Sequence, residues 1–115
     1  GSQTLVVSSN FMNIHGFANA QPLTNDDGGD IGVVFEYYRS GAGDRKAALV
    51  WANDTGALEY YANGAITNGG LNFNDANGAT YGNIKAGGFI SANTTPSTST
   101  TTGALIVAGG IIVGN

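Results

Sequence analysis

The sequence predicts an all-β chain: an antiparallel β-meander or sandwich-like module over residues 3–83, then a repetitive glycine-rich β-stalk over 84–115. Three observations lead there. Leu, Lys, Glu and Arg are scarce while Gly, Asn, Thr, Ser and Ala dominate, so helix is disfavoured and turn formers abound. Residues 31–38 alternate with a period of two between clusters of turn residues. Lastly, the eight residues 86–93 recur at 108–115 without a gap.

Gly1-Ser2 reads as a cleavage scar left by expression and is set aside from the fold. Residues 4–8 form a short β-type run, followed by a polar-aromatic stretch through Phe17. The cluster Asn25-Asp26-Asp27-Gly28-Gly29-Asp30 breaks any periodic element. After it comes the best strand of the chain, with Ile31, Val33, Phe35 and Tyr37 on one face and Gly32, Val34, Glu36 and Tyr38 on the other. Ser40-Gly41-Ala42-Gly43-Asp44 is a turn, and residues 47–51 are the second strand, with Ala47, Leu49 and Trp51 together on one side. Asn53-Asp54-Thr55-Gly56 has the composition of a hairpin loop in which Gly56 takes the left-handed position. Residues 58–62 return as the third strand. Asn-Gly pairs at Asn63, Asn68 and Asn77 are further hairpin signals, separated by short β-prone pieces such as Leu71-Asn72-Phe73.

The two copies at 86–93 and 108–115 share five of eight residues at an offset of 22, a stalk-like period. Between them lies a Ser/Thr run around Pro96 with no apolar face, an extended surface connection or a disordered one. The apolar residues at 104–107 and 111–113 have no partner element in their own chain. A lone strand of this kind leaves backbone and side chains unpaired. Copies of the chain arranged around an axis remove the open edges, and glycine pairs permit the close approach near that axis. The expectation is an intertwined homotrimer.

Composition narrows the function classes. A net charge of −4 with one small basic cluster, Arg45-Lys46 near Arg39, argues against nucleic acid as a partner, and a solvated loop accounts for that cluster. The absence of cysteine excludes disulfides, thiol catalysis and thiolate metal sites. The most apolar stretch, 104–113, is about half the length that crosses a bilayer, so no membrane span is expected.

No enzymatic constellation is visible, and no catalytic, cofactor or metal residue is assigned. His15 is the sole histidine, and no Gly-x-Ser-x-Gly elbow surrounds Ser8 or Ser9, so it reads as a loop or interface residue. Asp26, Asp27 and Asp30 lack the spacing of a calcium loop and fit a turn in which Asp bonds its own backbone. Glu36, Asp54 and Glu59 raise a glycosidase-like carboxylate pair, but mid-strand and hairpin-tip positions make them solvated edge charges. Ser40-Gly41-Ala42-Gly43-Asp44 lacks the Gly-Lys-Ser/Thr ending of a phosphate loop. The sequons at Asn53 and Asn93 are chance matches in so Asn- and Thr-rich a chain. The aromatics carry more weight: Tyr37 and Tyr60 are expected in a core with Phe35 and Trp51. That leaves Tyr38 and Tyr61 exposed, as interchain contacts first and receptor contacts second.

The segment Ser97 to Asn115, with Ser99-Thr100-Thr101-Thr102-Gly103-Ala104-Leu105-Ile106-Val107-Ala108-Gly109-Gly110-Ile111-Ile112-Val113-Gly114-Asn115, resembles a motif of tailed-phage structural and tail-fibre proteins, especially in large phages of marine cyanobacteria. Residues 30–38, Lys46-Ala47-Ala48-Leu49-Val50-Trp51 and Asp54-Thr55-Gly56-Ala57-Leu58 are similar to a module that often precedes such repeats. Together these cover about two-thirds of the chain, judged as a rough domain count. The resemblance implies a virion protein of a tail fibre or similar appendage, usually trimeric, in contact with other virion proteins and concerned with appendage architecture or host attachment. It carries over no catalytic or binding residue. The family's repeat continues past the last Gly-Asn, so the chain reads as a fragment of a longer fibre. The alternative is a glycan- or receptor-binding module of a phage or bacterial adhesin, recognising host cell-surface glycan.

Overall fold

Apolar alternation between turn clusters yields one antiparallel sheet. The computed structural model describes residues 2–64 and 80–114. Four strands, β1 (Ile31–Arg39), β2 (Gly43–Trp51), β3 (Leu58–Gly64) and β4 (Thr80–Tyr81), lie in the order β1-β2-β3-β4. The described residues contain no helix. The fold class is therefore all-β, and the meander is an open single sheet rather than two packed sheets among those residues. The hairpin signals at Asn68 and Asn77 and the piece Leu71-Asn72-Phe73 lie outside the described residues.

β1 and β2 pair residue for residue, from Ile31 opposite Trp51 to Arg39 opposite Gly43. The hairpin between them closes on Ala42 N–H donating to Arg39 O at 3.0 Å, with Gly41 and Gly43 at φ +84° and +91°. Those values are open to glycine at little cost. β2 begins four residues earlier than apolar alternation alone predicts. Lys46 sits opposite Glu36, and its ammonium donates to Glu36 at 3.1 Å and Asp44 at 3.0 Å, so polar residues carry the ladder onward. The basic pair Arg45-Lys46 thus lies in a strand, not in a solvated loop.

The β2–β3 turn holds Gly56 at φ +65°, the left-handed conformation expected of it, with Gly56 N–H donating to Ala52 O at 2.8 Å. β3 carries the irregularity of the sheet. Ala48 faces Tyr61, yet Lys46 faces Gly64, so one extra residue bulges on β3, and the pairing with β4 shifts in the same stretch. Asn63-Gly64 is consequently part of a strand rather than a hairpin turn.

Residues 2–30 form no strand. The run 4–8 has β composition but no ladder to join, and Leu5 and Val6 stay exposed. The cluster 25–30 folds as two Asx turns: Gly28 N–H donates to Asp26 Oδ1 at 2.8 Å and Gly29 N–H to Asp27 Oδ1 at 3.0 Å. It is tied to the β2–β3 turn by Asn53, whose backbone N–H donates to Asp30 Oδ1 and whose amide donates to Asp26 Oδ1.

The chain divides into two units, Gly1–Asn83 and Ile84–Asn115. In the second, no described residue lies in a strand. Its order comes from hydroxyls: Thr102 Oγ1 accepts from the backbone of Thr98 and Ser99, and Ser91 Oγ donates to Ala104 O. The Ser/Thr run is thus partly organised as a turn that supplies its own partners.

Candidate functional site

Period-two geometry gives the sheet two faces, and they differ in chemistry. One face carries Ala48 and Val50 of β2 and Tyr61 of β3, which form the buried cluster. Tyr61 is 1% exposed and its ring stacks on that of Tyr81, centroids 4.9 Å apart and planes 21° from parallel. The Tyr61 hydroxyl donates to Glu59 at 2.6 Å, and the same carboxylate accepts from Thr55 at 2.8 Å and Tyr81 at 3.4 Å. The Tyr61 bond foremost holds the Glu59 carboxyl below its ordinary value, while burial pushes the Tyr61 phenol up. Further along the same face, Lys46 lies between Glu36 and Asp44. Its side chain is only 12% exposed, its ammonium is pushed up by Asp44 first and Glu36 second, and the Lys46 bond lowers Asp44.

The other face holds Val33, Phe35 and Tyr37 of β1, Leu49 and Trp51 of β2, and Leu58 of β3, with buried Ala47, half-buried Tyr60 and, opposite Tyr37, the charged Arg45 on the same side. The first six remain exposed, Trp51 at 53% and Phe35 at 50%. The Tyr37 hydroxyl is used within the sheet, donating to Ala62 O at 2.8 Å. Towards β4 this face is tighter: an added side chain at Gly82 would meet the Tyr60 ring at 2.3 Å, so only glycine fits beside that ring. The open patch is therefore centred on β1 and β2, and among the described strands β1 pairs only with β2.

This arrangement corrects the expected core. Trp51, Phe35 and Tyr37 line an open face, and Tyr61, expected to be an exposed contact residue, is the largest fully buried side chain among the described residues. Tyr38 is 77% exposed, and Tyr60 is half-buried. Alternation separates the faces of a strand but does not say which face is covered. Here both faces of β2 and β3 carry apolar groups, and the covered one is that where small Ala48 leaves room for the Tyr61 ring.

The remaining candidates do not converge. His15, at φ +77°, bonds Asp27 at 3.0 Å in an exposed loop, and no described serine hydroxyl bonds its ring. The Gly29 amide and then His15 lower the Asp27 carboxyl. Asp26, Asp27 and Asp30 are engaged in turns and in the Asn53 tie, and among the described residues no group of three acidic, His or Cys side chains is placed to hold a metal. Of the three carboxylates weighed for sugar chemistry, Asp54 is in the β2–β3 turn and Glu36 is ion-paired and exposed. Glu59, expected to be a solvated edge charge, is half-buried under three hydroxyls. A shallow open hollow lined by Phe17, Ala18, Asn19 and Gln21 belongs to a single loop. The open aromatic face is the candidate site. Compared with known proteins, the chain matches no family model, no curated protein and no solved structure.

Proposed function

We propose that this chain is a structural module of a phage tail fibre or similar virion appendage, working as a homotrimer. The observation that carries the reading is the state of the C-terminal unit: among the described residues its large apolar side chains stay open to water. Ile90 and Ile112 are each 98% exposed, and Leu105, Ile106, Ile111 and Val113 are also open to water. Residues of this kind repeated at a fixed offset are satisfied by copies of themselves. The resemblance of 97–115 to tail-fibre repeats points the same way, as does the all-β fold class. Attachment of the virion to its host is the role such an appendage serves.

A glycan-binding module is the second reading, favoured by the exposed rings of Trp51, Phe35 and Tyr37, each able to stack on a sugar. Sugar recognition also requires polar groups that fix the hydroxyls. On this face aliphatic Val33, Leu49 and Leu58 surround the exposed rings, the Tyr37 hydroxyl is occupied by Ala62 O, and a charged group, Arg45, lies opposite Tyr37 at the hairpin end. An array of bacterial surface glycans probed with the whole protein tests the choice. No saturable binding that depends on Trp51 is expected. Saturable binding abolished by Trp51→Ala would overturn the structural reading in favour of the adhesin.

A further inference from the structure

We infer that the Lys85–Ala86 bond is a processing site, at which a protease with an acidic specificity pocket separates the folded meander from the C-terminal unit. The cut follows from the fold alone; its consequence for assembly rests on the homotrimer reading.

Basic side chains are few, and all but one stand in the sheet. The chain has four Lys and Arg residues: Arg39, Arg45, Lys46 and Lys85. Arg39 ends β1 opposite Gly43, Arg45 pairs with Tyr37, and Lys46 pairs with Glu36 on one side and Gly64 on the other. A protease threads several residues of extended chain through its cleft, so cleavage at these three must wait for the sheet to open. The turn after Arg39 gives no slack, since Ala42 N–H closes it onto Arg39 O. Lys85 is exposed, and residues 82–98 around it lie in no strand and no helix. Among the described residues, the last bond tying the chain to the sheet is Gly82 N–H to Tyr60 O at 2.9 Å. The next hydrogen bond along the chain is at Ser91. Exposed backbone of this kind is where nicking concentrates.

Charge favours the same bond. No Asp or Glu follows Asp75, and among the described residues the Lys85 ammonium has no ion-pair partner. An unpaired ammonium is costly to bury, so Lys85 stays in water whatever the apolar runs of the C-terminal unit pack against. It is therefore available to the carboxylate of a protease pocket, with small Ala86, Gly87 and Gly88 following the bond. In the step itself water adds across the Lys85–Ala86 peptide bond. The Lys85 carbonyl carbon takes the hydroxyl and becomes a carboxyl terminus, and the Ala86 nitrogen takes the proton and becomes an amino terminus. The piece ending at Lys85 keeps the Tyr61–Tyr81 stack, the Gly82 bond and the buried cluster, so the sheet survives the cut. The piece 86–115 carries both copies of the repeat and the runs at 104–107 and 111–113.

The experiment exposes the full chain to trypsin at a low enzyme ratio, identifies the products by mass spectrometry, and sizes the digest by size exclusion with light scattering. The expected first products are 1–85 and 86–115, with 1–85 then resistant and eluting as a monomer. Lys85→Gln should abolish both products. Tyr61→Ala, which loosens the sheet, should speed cleavage at Arg39, Arg45 and Lys46 and leave the rate at Lys85 unchanged. First cleavage inside the sheet overturns the inference, as does a chain left intact by trypsin that digests the urea-unfolded protein. A rate at Lys85 that rises as the sheet loosens also overturns it, because the fold would then shield the bond. Pieces that stay together at the parent's mass overturn the separation. A parent that is monomeric before digestion removes the homotrimer reading and leaves the cut standing.

Discussion

Two aromatic residues at β-strand positions have opposite fates. Tyr61 is enclosed, stacked on Tyr81 and bonded to Glu59; Trp51 stands half in water. Tyr61→Ala should therefore cost about 3–5 kcal/mol, the range for truncating a buried aromatic. Trp51→Ala should cost the monomer only about 1 kcal/mol. Urea unfolding at concentrations below association measures both, and a Trp51 variant as damaged as the Tyr61 variant would return Trp51 to the core. The same cluster gives a pH dependence. Glu59 has a folded value below its ordinary 4.5, so its contribution is fully present above that value and is lost as pH falls through the lower folded one. The stability gap between the parent and Glu59→Gln should be widest near neutral pH and should shrink below pH 4.5. A gap that stays constant down to acid unfolding would show that the carboxylate's charge is not what the hydroxyls hold.

At the scale of elements, the existence of the three long strands and of the two turns between them was legible because each has a local cause. The period-two pattern of β1 needs only its own residues, and Gly56 marks a turn that requires a positive φ. Non-local effects were not legible. The early start of β2 depends on Lys46 meeting Glu36 across the hairpin, ten residues away in sequence. The bulge on β3 and the two-residue β4 depend on Tyr81 returning to Tyr61 from beyond residue 80. Residues 4–8 show the converse, β composition without a neighbouring edge. The candidate site was misread for the same reason: alternation grouped Phe35, Tyr37 and Trp51 on one face correctly, but burial is a property of what lies above that face. Tyr38 was placed correctly as exposed, since nothing on its strand competes for cover there.

In the molecule as a whole, the two units differ in how far they bury their own apolar side chains. The meander has a buried cluster of its own, whereas the C-terminal unit leaves its β-branched and aliphatic side chains in water. Ending the chain after Asn93 removes the runs at 104–107 and 111–113 and leaves the sheet intact. The shortened chain should be monomeric, since the runs proposed to drive association are gone while the meander keeps its own buried cluster. A shortened chain that keeps the parent's oligomeric mass would transfer the driving role to the meander. The central claim, three chains around one axis, is tested most directly by sedimentation velocity on the full protein, which gives mass and shape together. The account predicts a particle of three times the 11.6 kDa chain mass at micromolar concentration, and a monomer at high micromolar concentration would contradict it.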